Sequence, residues 1–352
     1  MPFFYAGTRL FIAVMIALTS LEEASWGQIR PSLDPDLASY FYPDDREPIS
    51  GKLTISGSNT MSPLMQAWVD GLREKHPNLK VTLSGQGSKT GLEALLEHRT
   101  EVAALSHRMT AAELSEFVKE YGYEPTEVPV AIDALAVFVH RTNPIAGLSF
   151  EELDAIFCQE RRRGALDPID TWGAVGLDGE WFSAPVHLYG RNAQSGTSAF
   201  FREEVCQGGP LSSRLTEEPG SASVILEMES DRHGIGFSSI GYRTSYVKPV
   251  PIATVKGGRY VEPTFASAAD GSYPLRRNLY LYIAKPPKSS PSPAVVELIR
   301  FALSRQGQKL ALDLGYYPLS SQEIGRTLAK WSRSVSSAQT GSSNQSPPQP
   351  GS

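Results

Sequence analysis

Apolar positions recur at helical spacing between Met61 and Lys75, where Leu64, Met65, Trp68, Val69 and Leu72 share one face. His76-Pro77-Asn78 stops that helix. Short alternating or wholly apolar runs lie on either side, at Lys52–Ser56 and Leu79–Ser84, and read as strands. The rhythm continues with a helix over Thr90–His98, a strand over Val102–Leu105 and a helix over Ala111–Tyr121. Ala134–Val139 is almost entirely apolar, as a strand covered on both faces requires. Further on, helices are predicted at Ser149–Phe157, Ser198–Cys206, Ala294–Leu303 and Gln306–Leu314. Strands are predicted at Val186–Tyr189, Gly234–Phe237 and Leu279–Ile283, the last ended by Pro286. Alternating strands and helices predict an α/β fold built on mostly parallel sheet.

The pattern also sets the edges of the folded part. Arg9 followed by the apolar run Leu10–Leu18 reads as a signal peptide over residues 1–27, too short to span a bilayer comfortably. A buried core helix is the other reading of that run. No cysteine follows it, so a lipid-anchored N-terminus is not expected, and no later stretch is long enough to cross a membrane. Residues 28–50 are rich in Pro, Asp and Tyr and read as an irregular leader. Residues 332–352 are dominated by Ser, Gln, Pro and Gly, and read as a disordered tail.

Composition narrows the function classes. The net charge of −5 argues against a nucleic-acid partner, which calls for a basic face, but not against an anion held by a few local donors. The only cysteines are Cys158 and Cys206. In an exported chain they could pair, or they could be two separate buried thiols. With no cluster of histidines beside them, neither a metal site nor a cofactor is expected.

Three segments share one design, a strand, then a small polar turn, then a helix. They are Ser56-Gly57-Ser58-Asn59-Thr60, Ser84-Gly85-Gln86-Gly87-Ser88 and Gln194-Ser195-Gly196-Thr197. A helix start offers unpaired N–H groups and the positive end of its dipole, and Ser or Thr adds a hydroxyl. One such turn is an ordinary N-cap. Three of them, with Arg191 just ahead of the third, suit an oxyanion.

These residues carry a family resemblance. Gly57-Ser58-Asn59-Thr60-Met61, Gln86-Gly87-Ser88-Lys89-Thr90-Gly91, Ser106-His107-Arg108, Asp133-Ala134-Leu135-Ala136-Val137, Arg191 with Ser195-Gly196-Thr197, Gly234-Ile235-Gly236-Phe237 and Leu314–Leu319 are similar to the phosphate-binding component of bacterial phosphate ABC importers, the PstS-like family. The resemblance covers about Leu53 to Leu319. It implies a two-lobe type II periplasmic-binding-protein fold with a two-strand hinge, lobe I being residues 51–134 and 245–331 and lobe II residues 135–244. It also implies an exported, periplasmic, monomeric protein that is not an enzyme. Such a protein captures inorganic phosphate and delivers it to an ABC importer permease. Carried onto this chain, Thr60, Met61 through its backbone, and Ser88 hold the anion from lobe I. Arg191, Ser195, Gly196 and Thr197 hold it from lobe II, with Ser58 and Ser106 as further candidates. Some members carry an aspartate where this chain has His107. That aspartate accepts the proton of hydrogen phosphate and so excludes sulfate. Asp133 is then the candidate acceptor. His107 is expected first as a surface residue, ahead of a neutral acceptor or a cationic donor.

Two other readings stay open. The same fold could bind sulfate, molybdate or tungstate, or serve as a phosphate sensor. A serine hydrolase could use Ser195 with Asp133 and His107 or His233, but the first glycine of the Gly-x-Ser-x-Gly elbow is missing.

Overall fold

A computed structural model describes residues 32–287 and 289–336. The expected signal peptide and nearly all of the expected tail lie outside the described residues. The strands are β1 (Gly51–Gly57), β2 (Leu79–Ser84), β3 (Val102–Leu105), β4 (Thr126–His140), β5 (Leu148–Ser149), β6 (His187–Arg191), β7 (Thr216–Glu218), β8 (Gly234–Ser239), β9 (Val247–Pro249), β10 (Ile252–Ala253) and β11 (Arg276–Ile283). The helices are α1 (Ser62–Lys75), α2 (Ser88–Leu96), α3 (Ala111–Tyr121), α4 (Phe150–Phe157), α5 (Gly196–Glu204), α6 (Ser221–Ser230), α7 (Phe265–Ala269), α8 (Pro293–Ala302), α9 (Arg305–Asp313) and α10 (Ser321–Ser336).

The main sheet has the order β2-β1-β3-β11-β4-β8-β6-β7, with β9 also paired to β4. Its two halves follow one rule. In the first, β1, β2, β3 and β4 run one way and β11 runs against them. In the second, β6, β7, β8 and β9 run one way and β4 runs against them. Each half is therefore a mostly parallel sheet pierced by one reversed strand. β4 belongs to both. Thr126–Ala134 pairs with β11, and Leu135–Val139 pairs with β8. The chain comes back beside this point, where the Leu135 N–H donates to Leu275 O at 3.0 Å just before β11 begins. Leu135 and Leu275 thus stand side by side where the chain passes between the two halves of the sheet. Within residues 245–331, expected in lobe I, β9 pairs with the second half of β4 and β10 pairs with β5.

Every residue from Val130 to Val139 is buried, which is why this strand needs side chains that tolerate cover on both faces. It is longer than its apolar run because Glu127, Pro129 and Asp133 interrupt the pattern without ending it. Pro129 cannot donate to the ladder, and the register of β11 against β4 slips there, between Leu279 and Tyr280. The helix α6 was missed at the sequence level. Val224, Ile225 and Met228 are buried, but the neighbouring Leu226 is exposed, so the apolar stripe is blurred.

The leader is irregular, as its composition predicts, yet its described part is packed. Leu37 and Tyr42 are buried, and the Tyr40 hydroxyl donates to Glu297 at 2.9 Å. α10 continues to Ser336, past Trp331, so the described helix overruns the expected start of the tail. Cys158 and Cys206 form a disulfide with 5.6 Å between Cα atoms. Closing a loop of 48 residues is worth about 4 kcal/mol by chain entropy. Among the described residues no helix is long and apolar enough to cross a membrane.

Candidate functional site

The three polar turns meet where β4 changes partners. The first follows β1, as a 3-10 turn at Asn59–Met61 that runs into α1. The second follows β2 and opens α2, with Gly87 at φ 144° as its N-cap. A side chain there would strike Gln194 O, so only glycine lets the second and third turns touch. The Lys89 N–H donates to Gln194 O at 3.2 Å across that contact. The third turn follows β6 and opens α5, where Ser195 caps the helix by accepting the Thr197 N–H at 3.1 Å.

A fourth helix start joins them, and the sequence did not reveal it. Ser221 opens α6 after β7. Its N–H donates to Asn59 Oδ1 at 3.0 Å, and its Oγ lies 3.3 Å from Thr60 Oγ1. Thr60 Oγ1 is in turn 3.0 Å from Thr197 Oγ1. Ser88 and Ser106 form a neighbouring pair, 3.3 Å between hydroxyls, and the Ser106 N–H donates to Ser88 Oγ at 3.1 Å. Gly196 faces this pair so closely that a Cβ on it would lie 2.3 Å from Ser88 Oγ, 2.7 Å from Ser106 Oγ and 2.6 Å from His107 Nδ1. Ser58, Thr60, Met61, Ser88, Ser106, Ser195, Gly196 and Thr197 are all buried. The Met61 N–H is engaged in its own turn, donating to Ser58 O at 3.1 Å.

Two arginines enter this cluster. Arg191, the last residue of β6, is 1% exposed. Its guanidinium donates to Glu218 O at 3.3 Å, Ser221 Oγ at 2.8 Å and Pro219 O at 2.9 Å, all neutral acceptors. Burial lowers its pKa to about 10, helped by the nearby Arg277 charge and opposed by Tyr242. It therefore remains a cation at neutral pH, with no carboxylate facing it in its described bonds. Arg277 was not anticipated, because nothing in β11 marks one of two adjacent arginines as inward. It stands opposite Asp133 in the ladder and donates to Asp133 Oδ2 from Nε at 3.0 Å and from a terminal nitrogen at 2.7 Å. The same terminal nitrogen donates to Thr197 Oγ1 at 2.8 Å, and the other has no partner.

Asp133 is thus engaged on both oxygens, with Ser239 Oγ donating to Oδ1 at 2.6 Å. It orients Arg277 from the edge of the site. His107 needs correction, since it is 5% exposed and is no surface residue. Its Nε2 lies 3.1 Å from both Glu113 carboxylate oxygens. The hydrolase arrangement is not assembled. Asp133 faces Arg277 and Ser239, His107 faces Glu113, and His233 precedes β8 at the end opposite Ser239, against the Trp181 and His187 rings.

Tyrosines from both halves close over the first turn. The Tyr242 hydroxyl donates to Asn59 O at 3.2 Å, and the Tyr316 hydroxyl donates to Thr60 O. The arrangement is a buried cluster of hydroxyls and helix starts around a cation whose described partners are all neutral, chemistry that suits a small anion.

Comparison with known proteins places the chain among relatives of one kind. The family described as PBP superfamily domain matches residues 43–306. The phosphate-binding protein PstS of Pseudomonas aeruginosa is 40% identical over 291 residues, covering 83% of this chain and 89% of that one. Protein SphX of Synechococcus elongatus is 26% identical over 273 residues, covering 77% and 78%. Among solved structures, a Clostridium perfringens protein crystallised with bound phosphate superposes with a TM-score of 0.64 at 23% identity, covering 77% of this chain and all of that one. An ABC-type phosphate transport receptor from Vibrio cholerae gives 0.59 at 22% identity, covering 76% and all of it. At these identities the two structures speak to the fold.

Proposed function

The chain belongs to the PBP superfamily, in its PstS-like branch, and on that premise we propose that it captures inorganic phosphate between its two lobes and passes it to an ABC importer. One observation carries the reading. Arg191 is buried with only neutral partners, inside a cluster of hydroxyls and helix starts. An uncompensated buried guanidinium is costly, and a tetrahedral oxyanion relieves that cost in a shape the planar fork can match. Thr60, Ser88, Ser195, Gly196 and Thr197 surround the same point, and Ser221 and Arg277 join them. Closure of the lobes excludes water and strengthens every contact with the charge. Micromolar capture needs about 8 kcal/mol net.

Export to the periplasm, a monomeric state and a permease partner belong to the same proposal. The hinge at Leu135 and Leu275 is where the lobes part to admit the anion. Titration calorimetry of the mature, phosphate-stripped protein tests it, with phosphate and then sulfate at neutral pH. One-to-one phosphate binding with weak sulfate binding is the expected result. Absence of phosphate binding would sink the proposal and leave the fold with a different ligand.

A further inference from the structure

The disulfide has a third group beside it. Asp154 lies on α4 and Cys158 caps that helix four residues later, so the two share one face, and Cys206 follows the end of α5. All three are buried, and a carboxylate oxygen and the two sulfurs lie within 4.8 Å of one another. One oxygen of Asp154 is accounted for, since Oδ2 accepts the Arg163 N–H at 2.7 Å. The other, Oδ1, is buried and has no hydrogen-bond partner. A buried carboxylate oxygen left open is costly. The oxidised pair cannot relieve it, because the sulfurs of a disulfide carry no proton.

The surroundings hold the three groups in place. The Arg163 N–H fixes the carboxyl, and its Nε donates to Val205 O at 2.7 Å, one residue before Cys206. The same guanidinium lies over the Phe150 ring at 4.6 Å, on the first turn of the helix that carries Asp154. The Cys158 N–H donates to Asp154 O at 2.9 Å and the Cys206 N–H to Arg202 O at 3.0 Å, so each cysteine is set by the helix it follows. Backbone bonds and Arg163 thus join the two helix ends around this point in addition to the covalent bond.

Reduction changes what these atoms can bind. A phosphine breaks the S–S bond with its electron pair and takes the oxygen of a water molecule to become the phosphine oxide. The two protons of that water leave Cys158 and Cys206 as thiols. A divalent cation can then displace both thiol protons to solvent and meet two thiolates and Oδ1. Two sulfur ligands exclude magnesium and calcium, which take oxygen, and suit zinc. Around tetrahedral zinc, sulfur and oxygen ligands stand about 3.5–3.8 Å apart. That spacing is within the reach of groups already inside 4.8 Å of one another.

We propose that Cys158, Cys206 and Asp154 form a zinc site when the disulfide is open, so that the metal takes over the cross-link between the ends of α4 and α5. The proposal is independent of the phosphate reading, because the site lies at the far end of α5 from Ser195 and Gly196, which open that helix.

The test reduces the full mature chain with a phosphine, removes the reductant under nitrogen, and titrates with Cd2+, whose bonds to thiolate absorb in the ultraviolet. Zn2+ then competes for the same site. Circular dichroism follows the fold throughout, because the cysteines of an unfolded chain also bind metal. The folded, reduced chain is expected to take one Cd2+ with a charge-transfer band and to exchange it for Zn2+, while the oxidised chain shows no band. Asp154→Asn, folded with its disulfide intact before reduction, keeps an acceptor for Arg163. It should keep the band but bind at least about tenfold more weakly. No band in the folded, reduced chain overturns the proposal, and so does Asp154→Asn binding as tightly as wild type. Zn2+ held equally by the oxidised chain overturns it too, since the sulfurs are not available there. If the reduced chain unfolds without metal, reduction is repeated with Zn2+ present. Retention of the near-ultraviolet dichroism is then expected, and its loss overturns the proposal.

Discussion

The two halves of the sheet bring an arginine to the same cluster in opposite electrostatic states. In the first half, Arg277 is neutralised by its cross-strand neighbour Asp133, and both are buried. In the second, Arg191 is equally buried but meets only neutral acceptors. One cation is part of the architecture and the other is the one we propose for the ligand. A buried arginine is thus read from its partners, since burial alone makes the two look alike.

Substitution should separate them. The largest effect expected is from Arg277→Met, which strands Asp133 as a buried charge. It should lower the unfolding free energy of the ligand-free protein by about 3–5 kcal/mol, measured by denaturant unfolding. Arg191→Met strands no charge, only the neutral acceptors at Glu218, Pro219 and Ser221. It should cost about 1–3 kcal/mol of ligand-free stability, less than Arg277→Met, yet about 2–5 kcal/mol of phosphate affinity in calorimetry. If both variants lose stability alike, the contrast between the arginines is wrong. Gly196→Ala tests the contact that brings the halves together. Its Cβ meets Ser88, Ser106 and His107, so phosphate affinity should fall by about 1–3 kcal/mol with the fold intact by circular dichroism.

The smallest effect expected is from Tyr242→Phe, about 0.5–1.5 kcal/mol, because it removes one neutral hydrogen bond to Asn59 O. Burial pushes the Tyr242 hydroxyl up to about 12. Its neutral form is therefore the one the fold prefers. The associated stability is fully present below about pH 10, the value for a free tyrosine, and is lost between there and about 12. In unfolding curves recorded across that range, Tyr242→Phe should flatten the decline.

Much of this was legible in the residues. The helix α1 follows directly from apolar spacing, because Leu64, Met65, Trp68, Val69 and Leu72 are buried on one face, and β3 follows from an unbroken apolar run that is buried throughout. The three Gly-hydroxyl turns and Arg191 announce an anion site, since few other chemistries need that combination after a strand. What escaped was set by pairing across long distances. Arg277 faces inward because its register puts it opposite Asp133, 144 residues away. Ser221 reaches the site because a weakly patterned helix is docked by Asn59. His107 was expected at the surface on histidine's intermediate burial alone, and nothing in the sequence marks Glu113, six residues on, as the partner of a buried ring.

The place of β11 in the sheet has a bearing on how the chain assembles. It lies between β3 and β4, although it follows β4 by more than a hundred residues. Until Arg276–Ile283 has been made, the first part of β4 has no strand beside it and β3 has an open edge. The second half can close earlier, since β8, β6 and β7 all precede β11. Synthesis from the N-terminus thus produces the first half's strands early but completes that half last. The earlier strands wait as unpaired edges, the kind of low-order intermediate that non-local pairing makes slow to resolve.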